Sequence, residues 1–100
     1  MLEKLKHYLS DEEYNLGKML EVIKTDKTKV VTCNWFDKDQ WIEYNPEKDE
    51  YQYEDDCFLG SSNIDVIFYF RDQYNIGWSR TAKWFIMDKP KWLHEKRSKL

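Results

Sequence analysis

Residues 64–70 read Ile-Asp-Val-Ile-Phe-Tyr-Phe and form the densest apolar run in the chain. Their β-branched and aromatic side chains fit a pleated surface and lose rotamer freedom in a helix. A run of this length is typical of a strand and is short for a helix. Alternation places Ile64, Val66, Phe68 and Phe70 on one apolar face, and Asp65 is the only charged residue on the other. The stretch therefore predicts a central strand that is covered on both sides.

Three upstream segments also have strand patterns: residues 28–36, 40–45 and 50–54. The third alternates strictly, with Tyr51 and Tyr53 on one face and charged or amide side chains on the other. Between the second and third segments, Asn45-Pro46 is typical of a type I turn. Residues 40–55 therefore predict a hairpin. Downstream, residues 78–87 predict the last strand, although residues 81–87 also permit a helix.

Helices are predicted at both ends of the chain. Ser10 and Glu13 have the spacing of a capping box, which predicts a helix from about residue 11 to about residue 24. Residues 1–9 either form a separate short helix or continue into this one. Asp88 and Pro90 are suited to the start of a short C-terminal helix. The chain, residues 1–100, is thus predicted to be a single α+β domain. Its N-terminal helix packs on a four- to five-stranded antiparallel sheet, and a short C-terminal helix follows.

The charge is distributed unevenly. The net charge of −3 combines a neutral segment at residues 1–36, a segment of −7 at residues 37–56 and a segment of +4 at residues 57–100. Trp41, Ile42 and three tyrosines hold the acidic segment in the predicted hairpin. We therefore expect a firm acidic surface rather than a flexible acidic tail.

Two interpretations of the acidic hairpin compete. It could be a solvated sheet edge, because charge on an edge strand blocks unwanted pairing. Alternatively, it docks on a basic surface of a partner protein. Such a surface could be one that binds nucleic acid through charge. The predicted partner-binding residues are seven acids with three tyrosines as support or anchors: Glu43, Glu47, Asp49, Glu50, Glu54, Asp55, Asp56, Tyr44, Tyr51 and Tyr53.

Two other functions compete with docking. Arg80, Lys83, Lys91, Lys96 and Arg97, interleaved with tryptophans, could bind single-stranded nucleic acid by charge and stacking. The acidic composition, with a pI of about 5.4, argues against direct nucleic-acid binding. Surplus aromatic residues could instead close a homodimer, which would make the chain a structural homo-oligomer subunit.

Catalytic and metal-binding patterns are not found in the sequence. It contains no glycine-rich phosphate loop, no nucleophile elbow and no HExxH motif. A zinc site would have to bring together Cys33, Cys57, His7 and His94, which lack the usual short ligand spacings. We therefore expect a protein that is not an enzyme and has no cofactor or metal.

No stretch has the roughly 20 apolar residues that span a bilayer, and the N-terminus lacks the apolar core of a signal peptide. We expect a cytoplasmic protein without membrane contact. The final Ser98-Lys99-Leu100 matches the peroxisomal signal, but three common residues are weak support for that location. The small size, the Lys/Asn/Tyr/Asp-rich composition and the acidic hairpin resemble phage or mobile-element inhibitors such as anti-CRISPR proteins. No motif carries this resemblance, so it assigns no role to any residue.

Overall fold

A computed structural model describes residues 2–37, 40–53, 57–73 and 82–90. Its elements in chain order are a 3₁₀ helix (Glu3–Tyr8), α1 (Asp11–Thr25), β1 (Lys29–Cys33), β2 (Ile42–Asn45), β3 (Glu50–Tyr53), β4 (Cys57–Phe58), α2 (Asn63–Gln73) and β5 (Trp84–Asp88). The five strands form one antiparallel sheet in the order β4-β3-β2-β1-β5. The predicted α+β class, with an N-terminal helix on an antiparallel sheet, is confirmed.

The start of α1 follows from its capping box. The Glu13 backbone N–H donates to Ser10 Oγ at 3.2 Å, and the Ser10 N–H donates to Glu13 Oε2 at 2.5 Å. These reciprocal bonds satisfy two donors that the helix itself leaves unpaired. The helix begins at the predicted residue and ends at Thr25, close to the predicted end. The 3₁₀ helix is separate from α1, so the alternative in which residues 1–9 continue into α1 is wrong.

The prediction of a central strand at residues 64–70 is wrong, because these residues lie within α2. Val66, Ile67 and Phe70 are fully buried, whereas Asp65 and Phe68 are exposed. This spacing of three and four is that of one helical face. Packing of this face between α1 and the sheet overrides the β-propensity of the side chains, which is a weak preference.

Polar contacts at both ends of α2 also favour the helix. Ser62 Oγ accepts a hydrogen bond from the Asp65 backbone N–H at 3.0 Å, as an N-cap does. Asn63 Nδ2 donates to the Gly17 carbonyl of α1 at 3.2 Å. At the other end, Arg71 Nη2 lies 2.8 Å from Glu13 Oε1. The two helices are therefore joined by polar contacts as well as by apolar packing.

The predicted strands are longer than the observed ones. Segment 28–36 ends as a strand at Cys33, where the Phe36 N–H turns back to the Cys33 carbonyl at 2.9 Å. In the last segment, Trp84–Asp88 is a strand that pairs with β1, so the helical alternative there is wrong. Asp88 ends β5 rather than capping a helix. Residues 78–81 and the predicted C-terminal helix lie outside the described residues.

The main core lies between the two helices and one face of the sheet, which we call the inner face. Leu16 and Leu20 of α1 and Phe70 of α2 are fully buried against inner-face residues such as Ile42 and Tyr51. Opposite the helices is the outer face, which carries Glu43, Asn45, Glu50 and Gln52. The fully buried residues Val30 and Trp41 belong to a second, smaller apolar cluster.

Candidate protein-docking surface

The acidic residues are mounted on the hairpin formed by β2 and β3. Ile42 pairs with Tyr53, Glu43 with Gln52, Tyr44 with Tyr51 and Asn45 with Glu50. Asn45 Oδ1 accepts hydrogen bonds from the backbone N–H groups of Glu47 and Lys48, at 3.0 and 3.4 Å. These side-chain bonds stabilise the turn at the tip. The predicted hairpin and its Asn-Pro turn are confirmed.

The hairpin lies inside the sheet rather than at its edge. β1 pairs with β2, and β4 pairs with β3. Beyond β4, the Tyr51 N–H donates to the Gly60 carbonyl at 3.0 Å. This position in the strand order argues against protection of an open sheet edge as the reason for the carboxylates on β2 and β3.

Two tyrosines of the hairpin anchor the hairpin to the core on the inner face of the sheet. Tyr51 is fully buried, and its hydroxyl donates to the Leu20 carbonyl of α1 at 2.9 Å. Tyr53 is also buried and meets Phe36 edge-to-face at a centroid distance of 5.2 Å. Burial raises the pKa of Tyr51, and the nearby Tyr44, Glu21 and Asp49 raise it further. Tyr51 and Tyr53 thus offer no surface to a partner, whereas Tyr44 is partly exposed.

The described carboxylates differ in their surroundings. Glu43 is buried on the outer face, where its Oε2 lies 2.5 Å from Lys89 Nζ. Asp49 accepts a hydrogen bond from the Tyr44 hydroxyl, which raises the pKa of Tyr44, and lies 4.0 Å from Lys24 Nζ. Glu47 is exposed and Glu50 is half-buried, and neither makes an ion pair with another residue of the described ranges.

The structure brings only part of the predicted site together. Glu43 and Glu50 lie on the outer face of the hairpin, and Glu47 and Asp49 lie in its turn. The remaining predicted acids, Glu54, Asp55 and Asp56, lie outside the described residues. The acidic surface that we discuss below consists of Glu43, Glu47, Asp49 and Glu50.

A groove of about 340 Å³ opens beside this acidic surface. Residues 43–47 and Gln52 of the hairpin line it, and Lys89 lines it from the segment that follows β5. The ion pair between Lys89 and Glu43 crosses β1, the strand between β2 and β5. The groove therefore contains a fixed carboxylate with little exposure, as well as the exposed carboxylate of Glu47.

No sequence pattern marks Lys89 as part of this surface. The two paired residues are 46 positions apart, so no local pattern joins them. The only available signal was the position of Lys89 directly after a strand that could pair near the hairpin. Of the basic residues proposed for nucleic-acid binding, only Lys83 is described; it is exposed, and its backbone N–H donates to Asn34 Oδ1 at 2.6 Å.

The candidate metal ligands give no site in the part of the chain that the structure describes. Cys33 is buried, and this burial raises the pKa of its thiol. His7 is exposed, and its ring lies 3.8 Å from that of Tyr8 at a tilt of 45°. Across the described ranges, no group of three or more His, Cys, Asp or Glu side chains could hold a metal ion. The Cys57 side chain and His94 lie outside what is described.

None of the helices in these ranges has the length and apolar character needed to cross a membrane. Comparisons of the chain with family models, with curated proteins and with solved structures found no match.

Proposed function

We propose that this protein is a non-enzymatic interaction module whose acidic surface docks on a basic surface of a partner protein. The observation that carries the proposal is the mounting of Glu43, Glu47, Asp49 and Glu50 on a hairpin whose other face is locked into the core. A surface held in this way loses little conformational entropy on binding, because its backbone is already ordered.

The charge environment supports this function. Glu47 and Glu50 make no ion pair within the described ranges, so both carboxylates can attract a cationic surface. Complementary charge of this kind speeds association and selects partners. The position of β2 and β3 between β4 and β1 in the strand order supports docking over edge protection as the reason for the acids.

An inhibitor is a narrower form of the same proposal. If the partner's basic surface is a nucleic-acid channel, a docked acidic hairpin would occupy the place of the phosphates, which bind mainly through charge. In that case a bound nucleic acid and this protein would compete for the partner. Competition with an oligonucleotide tests this form separately from docking itself.

The test is affinity capture from a cell extract with three baits. These are the native chain, the hairpin variant Glu47→Lys/Glu50→Lys and the control variant Glu21→Lys/Asp72→Lys. The control makes the same change in net charge at exposed positions of α1 and α2. We expect one protein to bind the native and control baits and to be lost from the hairpin variant.

Titration of the captured protein makes the test quantitative. One exposed and one half-buried charge contact of about 1 kcal/mol each predict a loss of about 30-fold in affinity for the hairpin variant. The loss should shrink at high salt, because exposed charges are screened. Equal affinity of the hairpin variant and the native chain at low salt would remove the proposal. Tight binding of single-stranded oligonucleotides with a steep salt dependence would instead favour a nucleic-acid-binding module.

A further inference from the structure

Leu2 attaches the segment before α1 to the body of the molecule. This segment, residues 2–9, comprises the 3₁₀ helix and the leucine at each of its ends, and we call it the N-terminal strap. The Leu2 side chain is buried, at 5% exposure, whereas Leu5 and Leu9 are half-buried. The other strap side chains that the structure describes are exposed: Lys4, Lys6, His7 and Tyr8. Leu2 therefore provides the main apolar contact of the strap.

Leu2 lies against Gly17 of α1, in a space that a larger residue at position 17 would fill. A Cβ atom on residue 17 would lie 2.7 Å from Leu2 Cδ2 and 3.3 Å from Ile67 Cδ1 of α2. The first of these distances is far shorter than a van der Waals contact between carbon atoms. Glycine is a poor helix former compared with alanine, so Gly17 weakens α1 when the helix is considered alone. The space that glycine leaves is occupied by the tip of Leu2.

We propose that the N-terminal strap is a lid on the cleft between α1 and α2. The lid closes when Leu2 inserts beside Gly17, and it detaches while the helices and the sheet remain folded. Detachment uncovers Gly17 and Ile67 and opens the adjoining cavity of about 220 Å³, which Leu2 lines together with Glu21, Lys24 and residues 61–64. The lid lies on the helical side of the sheet, so the inference is independent of docking by the outer face.

The hydrogen bonds at the two ends of the strap allow it to detach as a unit. The Leu5 N–H donates to the Leu2 carbonyl at 3.0 Å, and the Leu9 N–H donates to the Lys6 carbonyl at 3.3 Å. Both bonds join strap residues to each other, so neither breaks on detachment. The capping box of Ser10 and Glu13 follows directly, and α1 therefore keeps its own cap.

A polar contact adds little to the attachment of the strap. The Lys6 ammonium lies 5.2 Å from the centre of the Tyr14 ring, and a cation–π contact of an exposed lysine is weak. Segments that are held by few buried contacts open locally, without unfolding of the whole domain. The strap fits this description because its apolar contact depends mainly on Leu2.

Trypsin cleavage of the full-length chain, followed by mass spectrometry, tests the proposal. Cleavage after Lys6 requires an extended segment and therefore reports the detached lid, whereas cleavage after Lys18 requires α1 to unfold. Opening of the lid exposes little surface, so the rate after Lys6 should stay nearly constant in urea below the unfolding transition. The rate after Lys18 should rise steeply over the same urea concentrations.

Two substitutions and their combination test the contact itself. Leu2→Ala and Gly17→Ala should each accelerate cleavage after Lys6 about tenfold, because one removes the inserted side chain and the other fills its space. The double variant should also be about tenfold faster rather than about 100-fold, since both changes break the same contact. Asn15→Ala, at an exposed position of α1, is the control and should leave this rate unchanged.

Thermal unfolding gives a second, independent readout. In the Leu2→Ala background, Gly17→Ala should raise the melting temperature by about 4 °C, because alanine favours the helix once Leu2 no longer needs the space. In the native background the gain should be smaller. An equal gain in both backgrounds would show that Gly17 does not accommodate Leu2, as would an acceleration of about 100-fold in the double variant, and either would overturn the closing contact.

The urea series on the native chain decides the lid without any substitution, which covers the case in which Gly17→Ala does not fold. Parallel increases in the rates after Lys6 and Lys18 would show that the strap opens only when the whole domain unfolds. That result would overturn the proposal.

Discussion

The inner face of the sheet carries Tyr51 and Tyr53 against two helices, whereas the outer face of the same strands carries Glu43 and Glu50. The apolar side chains of one face and the acidic side chains of the other alternate along the same hairpin. Each tyrosine on the inner face fixes the direction of the acids beside it, because successive side chains of a strand point to opposite sides. The core of this protein therefore determines where its acidic surface lies.

The largest expected difference between the two faces is in stability. Tyr51→Ala should lower the free energy of unfolding by about 3–5 kcal/mol, because it leaves a cavity in the core and removes the bond to Leu20. Gln52→Ala, at the next position on the outer face, should change it by no more than about 0.5 kcal/mol. Urea unfolding monitored by tryptophan fluorescence measures both. Similar losses for the two variants would contradict the assignment of the faces.

The two glutamates that are buried in the described ranges have different kinds of partner. Glu13 bonds the Ser10 N–H and Arg71, and so joins α1 to α2, whereas Glu43 bonds Lys89 beside an open groove. Glu13→Gln should cost about 2 kcal/mol, since hydrogen bonds to a charged group weaken. Glu43→Gln should cost about 1 kcal/mol, because Lys89 can move into water. Thermal unfolding at pH 7 checks the order, and a greater loss for Glu43→Gln would reverse our interpretation of the two pairs.

The smallest expected effect is a pH dependence that belongs to the inner face. The pKa of Tyr51 is raised in the folded protein above its ordinary value of 10.0, chiefly by burial. The stability that the protonated hydroxyl contributes is therefore fully present below about pH 10 and is lost as the pH rises toward the folded-state pKa. Tyr51→Phe should lower the free energy of unfolding by about 1 kcal/mol at pH 7. Between pH 9 and about pH 11, this variant should lose less stability than the native chain.

Urea unfolding at several pH values measures this effect, and Tyr8→Phe is the matched control. Tyr8 is 72% exposed, so its removal should leave the alkaline loss of stability unchanged. A decline of the same steepness in Tyr51→Phe and the native chain would show that Tyr51 does not control the alkaline transition.

The contrast between α1 and α2 shows how far local patterns could predict the fold. The capping box of Ser10 and Glu13 predicts the start of α1, and the structure contains both of its hydrogen bonds. Ser62 and Asp65 have the same spacing before α2, but the prediction rested on the β-branched and aromatic run that follows and did not use this signal. A cap was thus a better guide than side-chain propensity, because propensity yields to packing.

The sequence likewise predicts some features of the candidate site and not others. The positions of Glu43 and Glu50 on one face follow from alternation, and the turn follows from Asn45-Pro46. The burial of Glu43 and its pairing with Lys89 could not be predicted, because they depend on how β5 joins the sheet. Sequence patterns alone also gave Glu43 and Glu47 equal weight, although one is buried and the other exposed.

The first helix, the hairpin and the direction of its acids follow from the sequence, because they depend on neighbours within a few residues. The helical state of residues 64–70 and the contact of Lys89 with Glu43 depend instead on tertiary packing. The helix forms there because α1 and the inner face together bury its apolar side, and that burial requires contacts between distant parts of the chain. The ion pair forms because β5 lies beside β1 and brings a distant lysine across that strand to the hairpin.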